Sequence, residues 1–267
     1  MLQFSAIVRQ ALDASGAAAA LVSRSGLDLS RFDLRYSHAG VSLQHSPETP
    51  WSVRQLYYAC DEQRPRLFDQ GLSAFVLGTD DAALGYVSVV LLPPAAAAAL
   101  ARAALDNRLA LQLLGGRYSA NAYPFSARYQ NCNQWVMELL ASAWGGLPGA
   151  APGTPPPDDA RRRAQHWLRE QGYEPTVFDV GSRWLMALGP VFIRWIHGDD
   201  HPASDLDRQR YSVSMPASIE AFVQGHVPGA RRIEFCHTAY AVVSHPGWTP
   251  IPPGCTPVAG DTYVSFD

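Results

Sequence analysis

The run Arg128-Tyr129-Gln130-Asn131-Cys132-Asn133-Gln134-Trp135-Val136-Met137-Glu138-Leu139-Leu140 turns a polar loop into an amphipathic helix. Trp135, Val136, Leu139 and Leu140 recur at helical spacing, and Asn131 is placed to cap the first turn. Cys132 falls in that turn, where backbone N–H groups lack intrahelical partners and the helix dipole is positive. Both favour thiolate over thiol, and the thiolate is the nucleophile. The same N–H groups, that of Cys132 among them, suit the oxyanion of a tetrahedral intermediate. The stretch reads as the nucleophile helix of a cysteine hydrolase, which also needs a base.

The base candidate lies upstream, in Leu34-Arg35-Tyr36-Ser37-His38-Ala39-Gly40-Val41-Ser42-Leu43-Gln44. Ala39, Val41 and Leu43 alternate with His38, Gly40 and Ser42, which predicts a strand with His38 at its start. Gly40, on the same face as His38, removes a side chain and lets another element approach closely. Taken singly, a cysteine is most often a small buried hydrophobe and a histidine most often structural. Together and in this order they say more.

A strand-borne His-x-Gly-hydrophobic motif, a second strand, a helix, and then Asn-Cys at the head of another helix resembles the circularly permuted NlpC-type papain-like proteins. These include the lecithin–retinol acyltransferase-like enzymes and bacterial lipoprotein relatives. Ser37 to Val41 and Asn131-Cys132 carry the resemblance, which runs from about Ala18 to Trp144. The whole chain also looks like a bacterial family known only as a domain of unknown function. The resemblance implies an α+β, circularly permuted papain-like fold with an antiparallel sheet and a Cys-bearing helix. It further implies Cys132 as nucleophile, His38 as base and then acid, and a third polar residue on the following strand, Trp51 to Tyr58. Gln55 matches that position, where relatives commonly carry His or Glu. A glutamine can orient the His ring but cannot stabilise an imidazolium as a carboxylate does. Glu62, just beyond the strand, is the fallback orienter.

Between the two motifs, Leu84 to Leu92 reads as a buried strand, and Ala95 to Leu114 as one helix ended by Gly115-Gly116. The loop Ser119 to Gln130 is rich in Tyr, Phe and Asn. Tyr118, Tyr123, Tyr129 and Asn131 are the candidates to line a substrate cleft.

At 267 residues and 47% hydrophobic, the chain can bury one large core or two modest ones. A net charge of −3, with 17% charged residues, leaves no nucleic-acid footprint. All 21 basic residues are arginine, which excludes Schiff-base chemistry, a P-loop lysine and a Ser–Lys dyad. No nucleophile elbow for a serine and no dinucleotide loop occurs. The motifs call for no cofactor and no metal. His197-Gly198-Asp199-Asp200-His201 would put two histidines on one helical face, but Gly198 and Pro202 favour a polar turn.

Phe4 to Leu12 reads as an amphipathic helix that begins almost at once, so no signal peptide is expected in this numbering, and no transmembrane segment either. The families resembled are usually exported, which implies a periplasmic or secreted protein; a cytoplasmic one is the alternative. Three regions are expected: a catalytic region over 1–147, a Pro-rich linker over 148–157, and a smaller α/β region over 158–267 packed on the first. In the last, Asp158-Asp159 opens a helix whose Arg161, Arg162 and Arg163 oppose the dipole and call for pairing with Asp158, Asp159 or another surface; the three read as a solvated face rather than a cationic cluster for an acidic partner. Tyr173 to Val180 and Arg232 to Val243 read as strands, and Ser214 to Gln224 as a helix. Trp184, Leu185, Met186, Val191, Phe192, Ile193 and Trp195 carry more apolar surface than a region of this size hides alone, so some of them are expected to face the first region. If the protein is exported, Cys236 and Cys255 are expected to form a disulfide across a Pro/Gly-rich turn.

Function follows as thiol-dependent hydrolysis or acyl transfer at an amide or ester. By resemblance the substrate is a cell-wall peptide or a lipid-linked acyl group. A binding module that keeps the fold without catalysis is the alternative.

Overall fold

Alternating and helical periodicities close together in one chain require an α+β arrangement, and the computed structural model has one. It describes residues 2–78, 81–147, 157–182, 184–186 and 195–266. These form an eight-stranded sheet in the order β10-β9-β8-β5-β1-β2-β3-β4 and a two-stranded sheet, β6-β7. The strands are β1 (Ala19–Arg24), β2 (His38–Leu43), β3 (Ser52–Ala59), β4 (Arg64–Gln70), β5 (Gly85–Leu91), β6 (Thr176–Asp179), β7 (Arg210–Val213), β8 (Arg231–His237), β9 (Ala241–Pro246) and β10 (Thr262–Ser265). The pairings β1–β2, β1–β5, β2–β3, β5–β8, β8–β9 and β9–β10 are all antiparallel.

Two compact units emerge, interleaved in sequence. The first takes residues 1–54, 69–101 and 223–267, and the second takes 55–68 and 102–222. The division expected at the Pro-rich run is therefore not the one the contacts draw. Hydrogen bonding of β8 to β5 from Gly85↔His237 to Leu91↔Arg231 ties the C-terminal strands to the first unit. Residues 148–156 of the expected linker lie outside the described residues.

In the first unit, helix α1 (Leu2–Ser15) buries Phe4, Val8 and Leu12, spaced one turn apart. They join a core with Val22 of β1, Val53 of β3, Val87 and Val89 of β5, and Phe75 of the short helix α2 (Leu72–Val76). Each such side chain contributes about 1.5–3 kcal/mol on burial. A second cluster gathers Tyr36, Tyr86, Val243, Ile251 and the Cys236–Cys255 disulfide, the pairing the sequence suggested.

In the second unit, α5 (Cys132–Trp144) packs on α6 (Pro157–Glu170). Trp135 is fully buried, and its indole N–H donates to the Ala110 carbonyl at 3.2 Å. The single helix expected over 95–114 is two, α3 (Pro94–Leu105) and α4 (Asn107–Gln112). Asp106 breaks it by capping the second helix, its side chain accepting from Arg108 N and Leu109 N at 2.9 and 3.1 Å. Two further helices follow, α7 (Ala203–Asp207) and α8 (Pro216–His226). The single strand expected over 232–243 is the β8–β9 hairpin, turned at Thr238. Within the apolar segment, Trp184 is 79% exposed and Trp195 45%. Val191, Phe192 and Ile193 lie outside the described residues.

Candidate functional site

Helix α5 begins where the sequence places it. Asn131 caps it, its side-chain oxygen accepting from Gln134 N at 2.7 Å. The same amide donates to the carbonyls of Ala120 and Ser214 at 3.1 and 3.3 Å. Asn131 is buried with both ends of its amide committed, so it shapes the site rather than meeting a ligand. Cys132 is the first residue of the helix, lies in no disulfide and is 8% exposed. Cys60, the other cysteine outside the disulfide, is exposed just past β3.

The loop before Cys132 is braced from within the second unit. Glu138, on α5, has no exposed side-chain surface, and Arg161, on α6, has 1%. Arg161 donates to both carboxylate oxygens, at 2.9 and 3.2 Å. Gln130, Gln134 and Gln165 add amide donors to the same carboxylate at 2.6, 3.2 and 2.7 Å. Arg161 also donates to the carbonyls of Ala127 and Tyr129 at 2.7 and 2.8 Å. One carboxylate thus fixes a helix, a neighbouring helix and the loop between Ser126 and Gln130. The three early arginines of α6 do not form one outward cationic cluster, because Arg161 points inward, on the stripe of Ala164, Gln165 and Leu168. The side chains of Asp158 and Asp159 lie outside the described residues.

Residues 195–201 clamp the earlier half of the loop. Ala120 N donates to the Trp195 carbonyl at 2.7 Å, and Asn121 donates to the His197 carbonyl at 2.8 Å. The His197 ring stacks on Tyr129, centroids 4.5 Å apart. Tyr123 N donates to Asp200 at 2.9 Å, and a His201 ring nitrogen bonds the Asn121 carbonyl at 2.7 Å. His197 and His201 are therefore loop fasteners. Among the described residues no group of three or more His, Cys, Asp or Glu gathers as a metal would need. Burial raises the Asp200 carboxyl above its ordinary value, against the opposing Tyr123 N–H and His201.

The three tyrosines differ in role. Tyr129 is buried, and burial followed by its contact with Asp199 pushes its hydroxyl up. Tyr123 packs edge-on against Phe125, centroids 5.7 Å apart, and burial pushes it up too. Both are parts of the loop's own packing. Tyr118 is half-buried, and its ring stacks on Tyr58 at 4.9 Å and 26°. Burial first, then the charge of Cys132, holds its hydroxyl well above the ordinary value. It is the tyrosine of the three that shares an electrostatic environment with the thiol.

Gln55 also belongs to the second unit and is buried in β3. Glu62, the fallback orienter, is engaged by Arg64 and Arg66 near the turn after β3, and their hydrogen bonds, Arg66 first, lower its carboxyl. It is a surface ion cluster. His38 belongs to the first unit, where it opens β2 opposite Arg24. Its ring is buried and lies 5.9 Å from that of Phe75. Sequence reading missed the Glu138–Arg161 brace and the 195–201 clamp. The helical spacing of Gln134 with Glu138, and of Arg161 with Gln165, was the available signal for the first. The second had none, because it joins segments about seventy residues apart.

No helix among the described residues is long and apolar enough to cross a membrane. The chain belongs to a bacterial family described as uncharacterised proteins conserved in bacteria, DUF2145, whose model matches residues 11–223. No curated protein and no solved structure matches it.

Proposed function

We propose, for this member of that family, a thiol-dependent hydrolase or acyl transferase acting on an amide or ester. Cys132 is the nucleophile, His38 the base and then the acid, and Gln55 the orienting residue. The observation that carries this reading is Cys132 itself: a slightly accessible thiol, in no disulfide, at the first position of a thirteen-residue helix and after a loop braced on Glu138. The helix N-terminus favours the thiolate, and the backbone N–H of Cys132 faces the developing oxyanion. Bracing matters because an oxyanion hole works only when its donors need not reorganise.

The likeness of Ser37 to Val41 and of Asn131-Cys132 to permuted NlpC-type enzymes supports the papain-like assignment. It also supports cell-wall peptides or lipid-linked acyl groups as substrates. The Cys236–Cys255 disulfide supports an oxidising compartment, hence a periplasmic or secreted site of action.

Iodoacetamide is expected to alkylate Cys132 faster than the more exposed Cys60 at pH 6 to 7, as read by peptide mass mapping. The His38→Ala variant should slow Cys132 roughly tenfold or more, since a general base contributes about 10²–10⁴. Gln55→Ala should slow it less. A Cys132 slower than Cys60 in the intact chain rejects the enzyme, and the fold then serves binding.

A further inference from the structure

Trp195 joins the clamp through its main chain. Its carbonyl accepts from Ala120 N at 2.7 Å, and two residues on, His197 N donates to Ser119 Oγ and Asn121 Oδ1 at 3.1 and 3.0 Å. The clamp makes no use of the indole, which stands partly in water. Trp184 and Leu185 of the same apolar segment are more exposed still, Leu185 by 56%. Large apolar side chains left in water within one segment mark a contact surface. The charge beside them narrows the partner. Arg117 is exposed, and its guanidinium lies 4.8 Å from the centroid of the Tyr129 ring on which His197 stacks. Arg117 and Trp195 are thereby tied to one piece of surface. Arg169, also exposed, lies 4.6 Å from the centroid of Phe125, in the same loop. Among the described residues neither arginine has an acidic partner. In the sequence, no acid occurs between Asp179 and Asp199, whereas Arg183 and Arg194 do.

We propose that the segment carrying Trp184, Leu185 and Trp195, with Arg117 beside it, docks the chain onto the headgroup layer of an anionic bilayer. Indole and guanidinium together match that surface. Tryptophan settles at headgroup level, where its ring meets hydrocarbon and its N–H stays wet, and arginine is drawn to the lipid phosphates. A soluble polyanion would pair the arginines and leave both indoles in water. A purely apolar groove would cover the indoles and leave Arg117 unmatched. The contact is peripheral: side chains enter the interface and no segment crosses it. Docking does not depend on Cys132 being a nucleophile, so either reading can fail and leave the other standing.

The full chain is sedimented with sucrose-loaded vesicles of phosphatidylcholine alone and of phosphatidylcholine mixed in equal parts with phosphatidylglycerol. Binding is expected on the mixed vesicles, to be weakened by salt, and to be about tenfold weaker on the neutral ones. Arg117→Gln should lower partition onto mixed vesicles about fivefold, the scale of one basic residue at an anionic surface, and leave neutral vesicles unaffected. Trp184→Ser combined with Trp195→Ser should lower binding to both about tenfold or more, the scale of keeping large apolar side chains in water. No binding to mixed vesicles overturns the proposal, as does binding that survives the loss of both indoles or that ignores Arg117→Gln. Capture by soluble dextran sulfate that equals the vesicles and is indifferent to the indoles assigns the arginines to a polyanion and overturns it. Self-association that the double variant abolishes, without vesicle binding, gives the surface to a second copy and overturns it too. Should the double variant fail to fold by circular dichroism, hydroxyl-radical footprinting of the parent reads the same surface. Oxidation of Trp184 and Trp195 is expected to fall when mixed vesicles are added, and unchanged oxidation overturns the proposal.

Discussion

Glu138 and Glu234 are both wholly buried carboxylates with arginine partners, one in each compact unit. Glu234 sits in β8, between strands already hydrogen-bonded on either side. It accepts from Arg35 at 2.8 Å, from the Tyr36 hydroxyl and from Ile251 N at 2.5 Å, and pairs with the Arg232 guanidinium at 3.2 Å. Among the described residues Glu138 has one arginine and three glutamines, and these partners hold the half of the loop between Ser126 and Gln130, which lies outside any β-ladder. The first carboxylate reinforces a shape the ladder already dictates; the second gives its loop a shape. A buried ion pair is weak evidence for stability in itself, because desolvation offsets much of the attraction. Its value at Glu138 is to specify the approach to Cys132.

The largest effect should follow from leaving Glu138 without its cation. Arg161→Met is expected to cost about 3–5 kcal/mol in urea unfolding, the range for a broken buried pair. Proteolysis within Ser119 to Gln130 should come earlier and Cys132 alkylation should lose its advantage over Cys60. Arg232→Met should cost less, because Arg35 and Tyr36 remain on Glu234. Equal costs would mean that the number of charged donors does not decide the matter. Replacing Arg161 and Glu138 together by apolar residues should recover stability without recovering the alkylation rate.

This contrast also marks what the sequence makes legible. Strand β2 and helices α1, α5, α6 and α8 lie close to where the sequence pattern puts them, β5 where a continuous apolar run does, and β3 where the family resemblance puts it. Strand β1 escapes sequence reading because its Ala-Ala-Leu-Val run has neither alternation nor high β-propensity, and only its central pairing with β2 and β5 makes it a strand. Cys132 and its cap Asn131 are visible because capping is local. The roles of Tyr123, Tyr129 and His197 are not, because each is decided by a partner far along the chain. Arg161 misleads for a related reason: three consecutive arginines look like a solvated face unless the stripe through Ala164 and Leu168 is followed back to it.

The first unit has a covalent tie where the second has only polar ones. Cys236–Cys255 closes a separation of 19 residues, and the same segment is held by Ile251 N on Glu234 and Cys255 N on the Tyr86 hydroxyl. Removing the disulfide by Cys236→Ser with Cys255→Ser should cost about 3 kcal/mol, mostly through the freed unfolded chain. The loss should couple to that of Arg232→Met, since both act on the segment that follows β9. Alkylation of Cys132 should not change. A slower Cys132 in the disulfide-free variant would show that the two ties are not separate, and the comparison of the two glutamates would have to be redrawn.

The smallest effect concerns the clamp at Asp200. One carboxylate oxygen takes the Tyr123 N–H, while the other is buried with no hydrogen-bond partner, 3.8 Å from a His201 ring nitrogen. Burial raises this carboxyl above its ordinary value of 3.8, so the folded chain holds the proton more firmly than the unfolded one. Over that window the unfolded state binds fewer protons, and stability falls as pH rises. The full contribution is present below the ordinary value and is lost once pH passes the raised one. Asp200→Asn keeps an acceptor for Tyr123 and does not ionise. It should therefore be more stable than the parent at pH 7, by about 1 kcal/mol, the scale of an unmet buried acceptor. The difference should shrink toward pH 4, as read from urea midpoints at each pH. If instead the parent gains on the Asp200→Asn variant as pH rises, the ionised carboxylate is favoured by a charged His201. The clamp would then be an ion pair like the one at Glu138, and both halves of the loop would be held by charge.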